Sequence, residues 1–215
     1  WNTYKSIENQ SIASHSNRVV MGPWVHGGWA RTTGERLGNV TFGSKTSDIY
    51  QNEIEPTFFE YYLKGIGKMD LPDAYVFETG SNRWTTYSSW PPANTEQVKY
   101  FFRGKDALSS QMTAADAPIQ SVTYISDPAR PVPYTEDIHL DRTQEYMSDD
   151  QRFAARRPDV LVYQTPPLNA PVTVTGPVTA DLWVSLDDDG LAAPNVALDV
   201  DLVVKIIDVF PDTLQ

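Results

Sequence analysis

The chain has 215 residues, a formal net charge of −11 at pH 7, and 40% hydrophobic against 21% charged residues, which suits a sizeable folded core and argues against intrinsic disorder. The acidic excess, with basic residues dispersed along the chain, disfavours a nucleic-acid partner, because phosphate binding needs a basic surface. No apolar run approaches the roughly 20 residues of a membrane span, and the absence of cysteine excludes disulfides and thiolate metal sites.

The most informative segment begins with an apolar strand predicted over residues 18–21. Pro23 cannot continue a hydrogen-bonded ladder, and Gly27 and Gly28 leave the backbone free to turn around the side chain of His26. Imidazole has an unperturbed pKa near about 6.5, so a carboxylate partner can make it a proton acceptor at neutral pH. The pattern favours His26 as a catalytic base, and a packed or solvated histidine is the alternative that this segment leaves open.

Two tryptophans flank this histidine. We expect Trp24 to anchor the proline corner in the core, with an aromatic substrate wall as the alternative. Trp29 lies beyond the glycines, and we expect it to contribute to a substrate-binding pocket.

The next predicted element is an aromatic-rich helix that Gly65 ends and that Pro56 kinks or splits. Ile54, Phe58 and Tyr62 recur at helical spacing, so we expect this face to pack onto an α/β layer. The glycines that follow are predicted to join this layer to a second domain.

From residue 71 onward the hydrophobic periodicity changes to two, as in strands that bury one face. Strands separated by Pro, Gly, Asn and Asp turns are typical of a β-sandwich. Residues 126–157 are too polar for a strand and are predicted to form a long connection. The candidate strands are residues 74–77, 98–102, 121–124, 160–163, 172–174, 178–186 and 198–207.

Several segments together carry a resemblance to a known family: residues 22–28 (Gly-Pro-Trp-Val-His-Gly-Gly), 58–68, 76–84 and 90–92. They resemble the X-Pro dipeptidyl-peptidase and cocaine-esterase-like serine hydrolases, above all the α-amino-acid ester hydrolases and glutaryl-7-aminocephalosporanic acid acylases. The resemblance implies that residues 1–70 are the last βα units of an α/β-hydrolase domain. It also implies that residues 71–215 form an all-β jelly-roll, a galactose-binding-like β-sandwich that is incomplete at its C-terminus.

The same resemblance implies acyl transfer through a Ser-Asp-His triad, of which only His26 carries over to this chain. Because the α/β-hydrolase order is serine, acid, histidine, and no Gly-x-Ser-x-Gly run occurs here, we expect the nucleophile and the acid to precede Trp1. We therefore expect this piece alone to be inactive. The implied substrate is a small acyl ester or amide or a short peptide, and the implied mechanism needs no cofactor.

The sequence leaves several properties open. It does not distinguish a β-lactam, an X-Pro peptide or an ester as substrate, and it does not settle whether the protein forms a homo-oligomer. Its location, periplasmic, secreted or cytoplasmic, is equally open. We expect no metal site, because His139 has no second histidine close in sequence and the acidic run at residues 187–190 lacks the ligand spacing of an EF-hand loop.

A non-catalytic β-sandwich that binds carbohydrate or protein is the alternative to an enzyme. Trp84, Trp90 and Trp183 would then be candidate stacking surfaces. Three exposed, roughly coplanar rings would favour glycan binding, whereas burial would favour a structural domain. We expect burial, because Trp90 precedes two prolines and Trp183 lies between apolar residues of a predicted strand.

Overall fold

The computed structural model describes residues 1–10, 16–104, 106–112, 121–187 and 199–210. The chain divides into two compact units, Trp1–Gly176 and Pro177–Gln215. Every helix and strand of the described residues belongs to the first unit. None of the helices in the described ranges is long and apolar enough to cross a bilayer.

The helices are short, and two of them are separated by a wider turn. A π-helical turn at Tyr50–Ile54 lies between the helices Thr46–Ile49 and Glu55–Phe59, a second at Glu60–Lys64 follows the latter helix, and a 3₁₀ turn spans Glu145–Met147. The helices are α1 (Asn2–Gln10), α2 (Gly28–Arg31), α3 (Thr46–Ile49), α4 (Glu55–Phe59) and α5 (Arg152–Ala155).

The strands are β1 (Val19–Met21), β2 (Arg36–Leu37), β3 (Val40–Thr41), β4 (Ala74–Glu78), β5 (Arg83–Tyr87), β6 (Phe101–Arg103) and β7 (Ala107–Ser109). They form one three-stranded sheet, in the order β1-β4-β5, and two separate hairpins, β2-β3 and β6-β7. The chain between β1 and β4 carries helices α2 to α4, as expected for a crossover between parallel strands.

Strand β4 lies at the centre of the main sheet and corrects one prediction. Val19 of β1 pairs with Ala74 in parallel, and Phe77 pairs with Trp84 of β5 in antiparallel register. Residues 74–77 were predicted to be a sandwich strand, but they extend the sheet of β1 instead. The physical reason is burial, since Ala74 is completely buried and Phe77 packs edge-on against Phe42 at 5.4 Å between ring centroids.

The predicted aromatic helix is continuous in position but not in type. The Glu55 N–H donates to the carbonyl oxygen of Tyr50, which makes the turn before Pro56 wider than an α-helical turn. A proline ring clashes with the carbonyl four residues earlier, and a wider turn relieves that contact. The helical stretch ends at Gly65, whose φ of 67° is left-handed, as predicted from the glycine.

The predicted apolar face of this helix is only partly buried. Ile54 is buried and Phe58 is half-buried, in agreement with the prediction, but Tyr62 is exposed. The Phe58 ring packs on its own helical neighbours Phe59 and Tyr62, at 5.4 and 4.8 Å between ring centroids. The prediction was therefore wrong for the C-terminal end of the face.

The predicted jelly-roll does not form within the described residues. Among the described residues beyond residue 93, the observed strands are β6 and β7, so only the predicted strand at residues 98–102 overlaps an observed strand there. Residue 198, the first residue of the last predicted strand, lies outside the described ranges. Alternation supplies a strand with an apolar face, but a sheet also needs a backbone partner for each strand. Val172, Trp183 and Val203, one from each of three predicted strands, are exposed. The apolar side chains of these three segments therefore lack a packing partner among the described residues. The unpaired predictions are residues 121–124, 160–163, 172–174, 178–186 and the described part of 198–207.

Candidate functional site

His26 lies exposed in a turn immediately after the strand β1 and the buried Pro23, as the sequence predicted. The turn is closed by a hydrogen bond of 2.8 Å from the Gly28 N–H to the carbonyl oxygen of Val25. Gly27 follows with a φ of 75°, and a Cβ atom there would overlap the guanidinium of Arg31. The left-handed φ therefore favours glycine directly after the histidine, whereas the Arg31 guanidinium, the end of a flexible side chain, could move away. We call residues 22–34 the histidine loop.

The imidazole of His26 has few neighbours. Its ring stands at 77° to the Trp29 ring, with 6.1 Å between centroids. Among the described residues, none forms a hydrogen bond with the imidazole. The side chain is exposed, and neither ring nitrogen is occupied by a hydrogen bond from these residues.

Trp24 is the centre of an aromatic cluster beneath the histidine loop. Its half-buried ring contacts Trp29 at 6.4 Å, Tyr50 at 5.4 Å and Trp84 at 5.8 Å between centroids. These contacts connect the loop with the helical stretch and with strand β5. Trp24 thus anchors the proline corner, as its position in the sequence led us to expect.

A chain of hydrogen bonds joins the two ends of the histidine loop through Thr46, the first residue of α3. The Trp24 indole Nε1 donates to the Thr46 hydroxyl at 2.8 Å, and that hydroxyl donates to the Gly34 carbonyl oxygen at 2.7 Å. The Thr46 side chain is completely buried. One hydroxyl therefore holds both the start and the end of the loop.

The neighbouring residues of the helix add further ties to the loop backbone. The Ser47 N–H donates to the carbonyl oxygen of Thr33 at 3.0 Å, and the Ser47 hydroxyl donates to that of Gly28 at 3.4 Å. The Gln51 amide donates to the carbonyl oxygen of Trp29. Sequence reasoning missed the roles of Thr46 and Ser47, because hydroxyl side chains at a helix start are ordinarily interpreted as helix caps.

A cavity of about 540 Å³ lies between β1 and the helical stretch. Trp29, Tyr50, Glu55 and Phe58 are among the residues that line it, whereas His26 is not. Burial, and after it the charge of the nearby Glu55 carboxylate, raises the pKa of Tyr50 above its ordinary value. Trp29 thus lines a cavity next to the histidine, and its role in substrate binding stays a prediction.

The second cavity, of about 320 Å³, lies on the other side of Trp24. Val25, Glu35 and Gln144 line it together with the end of the histidine loop. The long connection predicted at residues 126–157 therefore returns to the segment that follows His26, where the Asn39 N–H also donates to the Ser148 hydroxyl at 3.3 Å.

The three candidate stacking tryptophans do not form a common platform. Trp84 packs against Tyr75 and Phe77 and is half-buried, and Trp90 packs against another aromatic ring, Tyr87, at 5.5 Å. Trp183 is completely exposed, so the expectation of burial was wrong for this residue. The arrangement does not meet the criterion of three exposed rings.

In the part of the chain that the structure describes, no three histidine, aspartate or glutamate side chains form a group suited to hold a metal ion. That part includes His139, whereas residues 188–190 of the acidic run lie outside it.

The chain is similar to hydrolases and peptidases of known structure. It superposes on an α-amino acid ester hydrolase with a TM-score of 0.71 and 30% sequence identity, over 81% of this chain and 30% of that one. It superposes on an aminopeptidase from a marine sediment Thaumarchaeota archaeon with a TM-score of 0.66 and 34% identity, over 77% of this chain and 27% of that one. These relatives place the chain among proteins related to hydrolases.

The family itself follows from the sequence of residues 66–213, which matches the X-Pro dipeptidyl-peptidase C-terminal non-catalytic domain. The chain belongs to this family. It is also 30% identical to the cocaine esterase of Rhodococcus sp. over 98% of its own length, and it spans only 35% of that relative. The resemblance found in the sequence is thus confirmed, and the chain corresponds to about a third of the curated relative that it matches.

Proposed function

We propose that this chain is part of a serine hydrolase that cleaves ester or amide bonds, with His26 as the general base. In the proposed reaction a serine of the full-length protein attacks the substrate carbonyl carbon while His26 accepts the serine proton. The protonated imidazole then donates that proton to the leaving group as the acyl-enzyme forms. Water hydrolyses the acyl-enzyme in a second step, with His26 again as base. An aspartate would hold the imidazole in the required tautomer, and both it and the serine would come from outside this chain.

The observation that carries this proposal is the placement of His26. The residue is exposed in a tight turn directly after a parallel strand, and its backbone is fixed by hydrogen bonds on both sides of the turn. An α/β-hydrolase delivers its catalytic histidine from a loop late in the chain, after the nucleophile and the acid. The names of the relatives, an esterase, an ester hydrolase and an aminopeptidase, support the same reaction class.

The proposed substrate is a small acyl ester or amide or a short peptide. This class covers the substrates that the relatives' names state. Trp29 is the residue of this chain that we propose to contact it, because its ring lies between the imidazole of His26 and the larger cavity. No cofactor has a part in the proposed chemistry.

For the second half of the chain we propose a supporting role. The family match begins at residue 66, close to the boundary at residues 70 and 71 that the sequence suggested. We propose that the alternating segments at residues 172–174, 178–186 and 199–207 complete a jelly-roll when their exposed apolar residues are paired in the full-length protein. Strands β4 and β5, in contrast, extend the sheet of β1.

The test is His26→Ala in the full-length protein, assayed with a p-nitrophenyl acyl ester. We expect kcat/KM to fall by several orders of magnitude, because the members of a triad act as a unit. The melting temperature should change little, because the side chain is exposed. His139→Ala is the matched control, since it removes another exposed imidazole. Ester hydrolysis by His26→Ala at the wild-type rate would remove His26 from the mechanism.

A further inference from the structure

We propose that Thr46 is a positioning residue for His26, acting through the buried hydrogen-bond chain from Trp24 to Gly34. The proposal rests on the proposed role of His26 as general base. It concerns a residue that touches neither the imidazole nor the reacting atoms and that acts through the histidine loop.

The first argument is how the Thr46 hydroxyl is used. It accepts one hydrogen bond, from the Trp24 indole at 2.8 Å, and donates one, to the Gly34 carbonyl oxygen at 2.7 Å. Lys45 is the capping residue of α3, and no side chain forms a capping hydrogen bond there. The hydroxyl is therefore not used by its own helix, and both of its hydrogen bonds are formed with residues of the loop.

The second argument is the path from Trp24 to the imidazole. A Cβ atom at Gly28 would lie 3.1 Å from the Trp24 Cβ, so the backbone just after the histidine rests on this tryptophan. The Trp24 ring also contacts Trp29, and the Trp29 ring contacts the imidazole. A change in the position of Trp24 therefore reaches His26 both through the backbone and through the rings.

The third argument is that the imidazole is not fixed by itself. Since none of the described residues forms a hydrogen bond with the His26 ring, this chain positions the ring through its loop, and the aspartate of the proposed triad would hold it from outside the chain. Reacting groups must be placed to within a fraction of an ångström, and misplacement by 1 Å can lower the rate about 100-fold. Release of both ends of the loop should thus lower the rate of the chemical step.

The experiment uses the full-length protein and compares Thr46→Val with Thr46→Ser in the p-nitrophenyl ester assay. Valine keeps the shape of threonine and lacks the hydroxyl, whereas serine keeps the hydroxyl. We expect Thr46→Val to lower kcat about 10- to 100-fold with little change in KM, and Thr46→Ser to restore most of kcat.

The matched control is Thr135→Val. Thr135 is also a buried threonine, and its hydroxyl donates to the Asp137 carbonyl oxygen at 2.6 Å within its own loop. This variant loses a comparable buried hydroxyl, so its kcat should stay at the wild-type value. An equal loss of kcat in Thr135→Val and Thr46→Val would overturn the positioning role, because it would show a general effect of destabilisation.

The outcomes separate the two proposals. Wild-type kcat in Thr46→Val, together with an inactive His26→Ala, would overturn the positioning role and leave the proposed function standing. An active His26→Ala would overturn both. If Thr46→Val does not fold, Trp24→Phe tests the same hydrogen-bond chain, because it removes the indole N–H together with part of the ring that packs on Trp29, Tyr50 and Trp84. Wild-type kcat in Trp24→Phe would then count against the proposal.

Discussion

Gly34→Ala is the sharpest test of the contact between the histidine loop and helix α3. Gly34 has a φ of 70°, and an added Cβ atom would lie 2.7 Å from the backbone nitrogen of Ser47 and closer still to the Thr46 and Ser47 hydroxyls. The backbone nitrogen cannot rotate away as the end of a flexible side chain could. The loop and the helix would therefore have to separate.

The chain offers a matched control in Gly43→Ala. Gly43 has the same φ of 70°, but a Cβ atom there would meet no heavy atom within 4 Å. A non-glycine residue in the left-handed region costs about 1–2 kcal/mol, which is the whole effect expected for Gly43→Ala.

The expected loss in the free energy of unfolding is larger for Gly34→Ala, because the contact between the histidine loop and helix α3 is lost as well. Separation of the loop from the helix breaks the Thr46 bond to the Gly34 carbonyl and the Ser47 bond to the Thr33 carbonyl. A hydrogen bond contributes about 1 kcal/mol, and a buried group left without a partner costs about 1–3 kcal/mol. We therefore expect Gly34→Ala to cost about 3–5 kcal/mol in the free energy of unfolding.

The measurement is thermal and urea-induced unfolding of both variants in the full-length protein, followed by tryptophan fluorescence. A protein with several domains need not unfold in one step, so the decisive quantity is the ratio of the two shifts in midpoint. We expect the shift for Gly34→Ala to be at least twice that for Gly43→Ala. Equal shifts would refute the close contact, because they would show that only the backbone conformation matters.

Two further predictions concern the helical stretch beneath the larger cavity. Burial and the Glu55 carboxylate raise the pKa of Tyr50 above 10.0, so the neutral side chain contributes stability that is present below about pH 10 and is lost as the pH rises through the pKa of the folded state. Tyr50→Phe should flatten this alkaline loss of stability in a series of melting temperatures measured against pH. An unchanged slope would contradict the assignment. Ile54→Ala should lower the free energy of unfolding by about 2–5 kcal/mol because Ile54 is buried. Phe58→Ala should lower it by less than the usual about 3–5 kcal/mol for a buried phenylalanine, because Phe58 is half-buried. Urea unfolding of both variants checks this order, and a larger loss for Phe58→Ala than for Ile54→Ala would contradict it.

The placement of His26 could be predicted because its causes are local. An apolar strand, a proline that stops it and two glycines that allow the turn follow one another within a few residues. The hydrogen bonds from Thr46 to the histidine loop could not be predicted in the same way. Thr46 and Gly34 are 12 residues apart, and only the folded chain shows that the hydroxyl binds the loop and does not cap its own helix.

The pairing partners of the strands could not be predicted from the sequence either. The residues of β4 were recognised as a strand, yet nothing in Ala-Tyr-Val-Phe distinguishes a strand that joins the sheet of β1 from one in a sandwich. Alternation at residues 198–207 predicts a strand equally well, and the described part of that segment, residues 199–207, has no pairing. Periodicity indicates which face of a strand is apolar, whereas the identity of its partner depends on contacts far along the chain.

The way the histidine loop is held suits the chemistry that we propose for it. A general base that takes a proton from serine and returns it to the leaving group needs both imidazole nitrogens for partners other than its own loop. In the described part of the chain, Thr46, Ser47 and Gln51 form hydrogen bonds with the loop backbone, whereas the imidazole forms none and stands at 77° to the Trp29 ring. The loop is thus immobilised without occupying either nitrogen. A hydrogen bond from the chain's own residues to the imidazole would hold the ring more firmly, but it would compete with the serine and the aspartate for the same atoms.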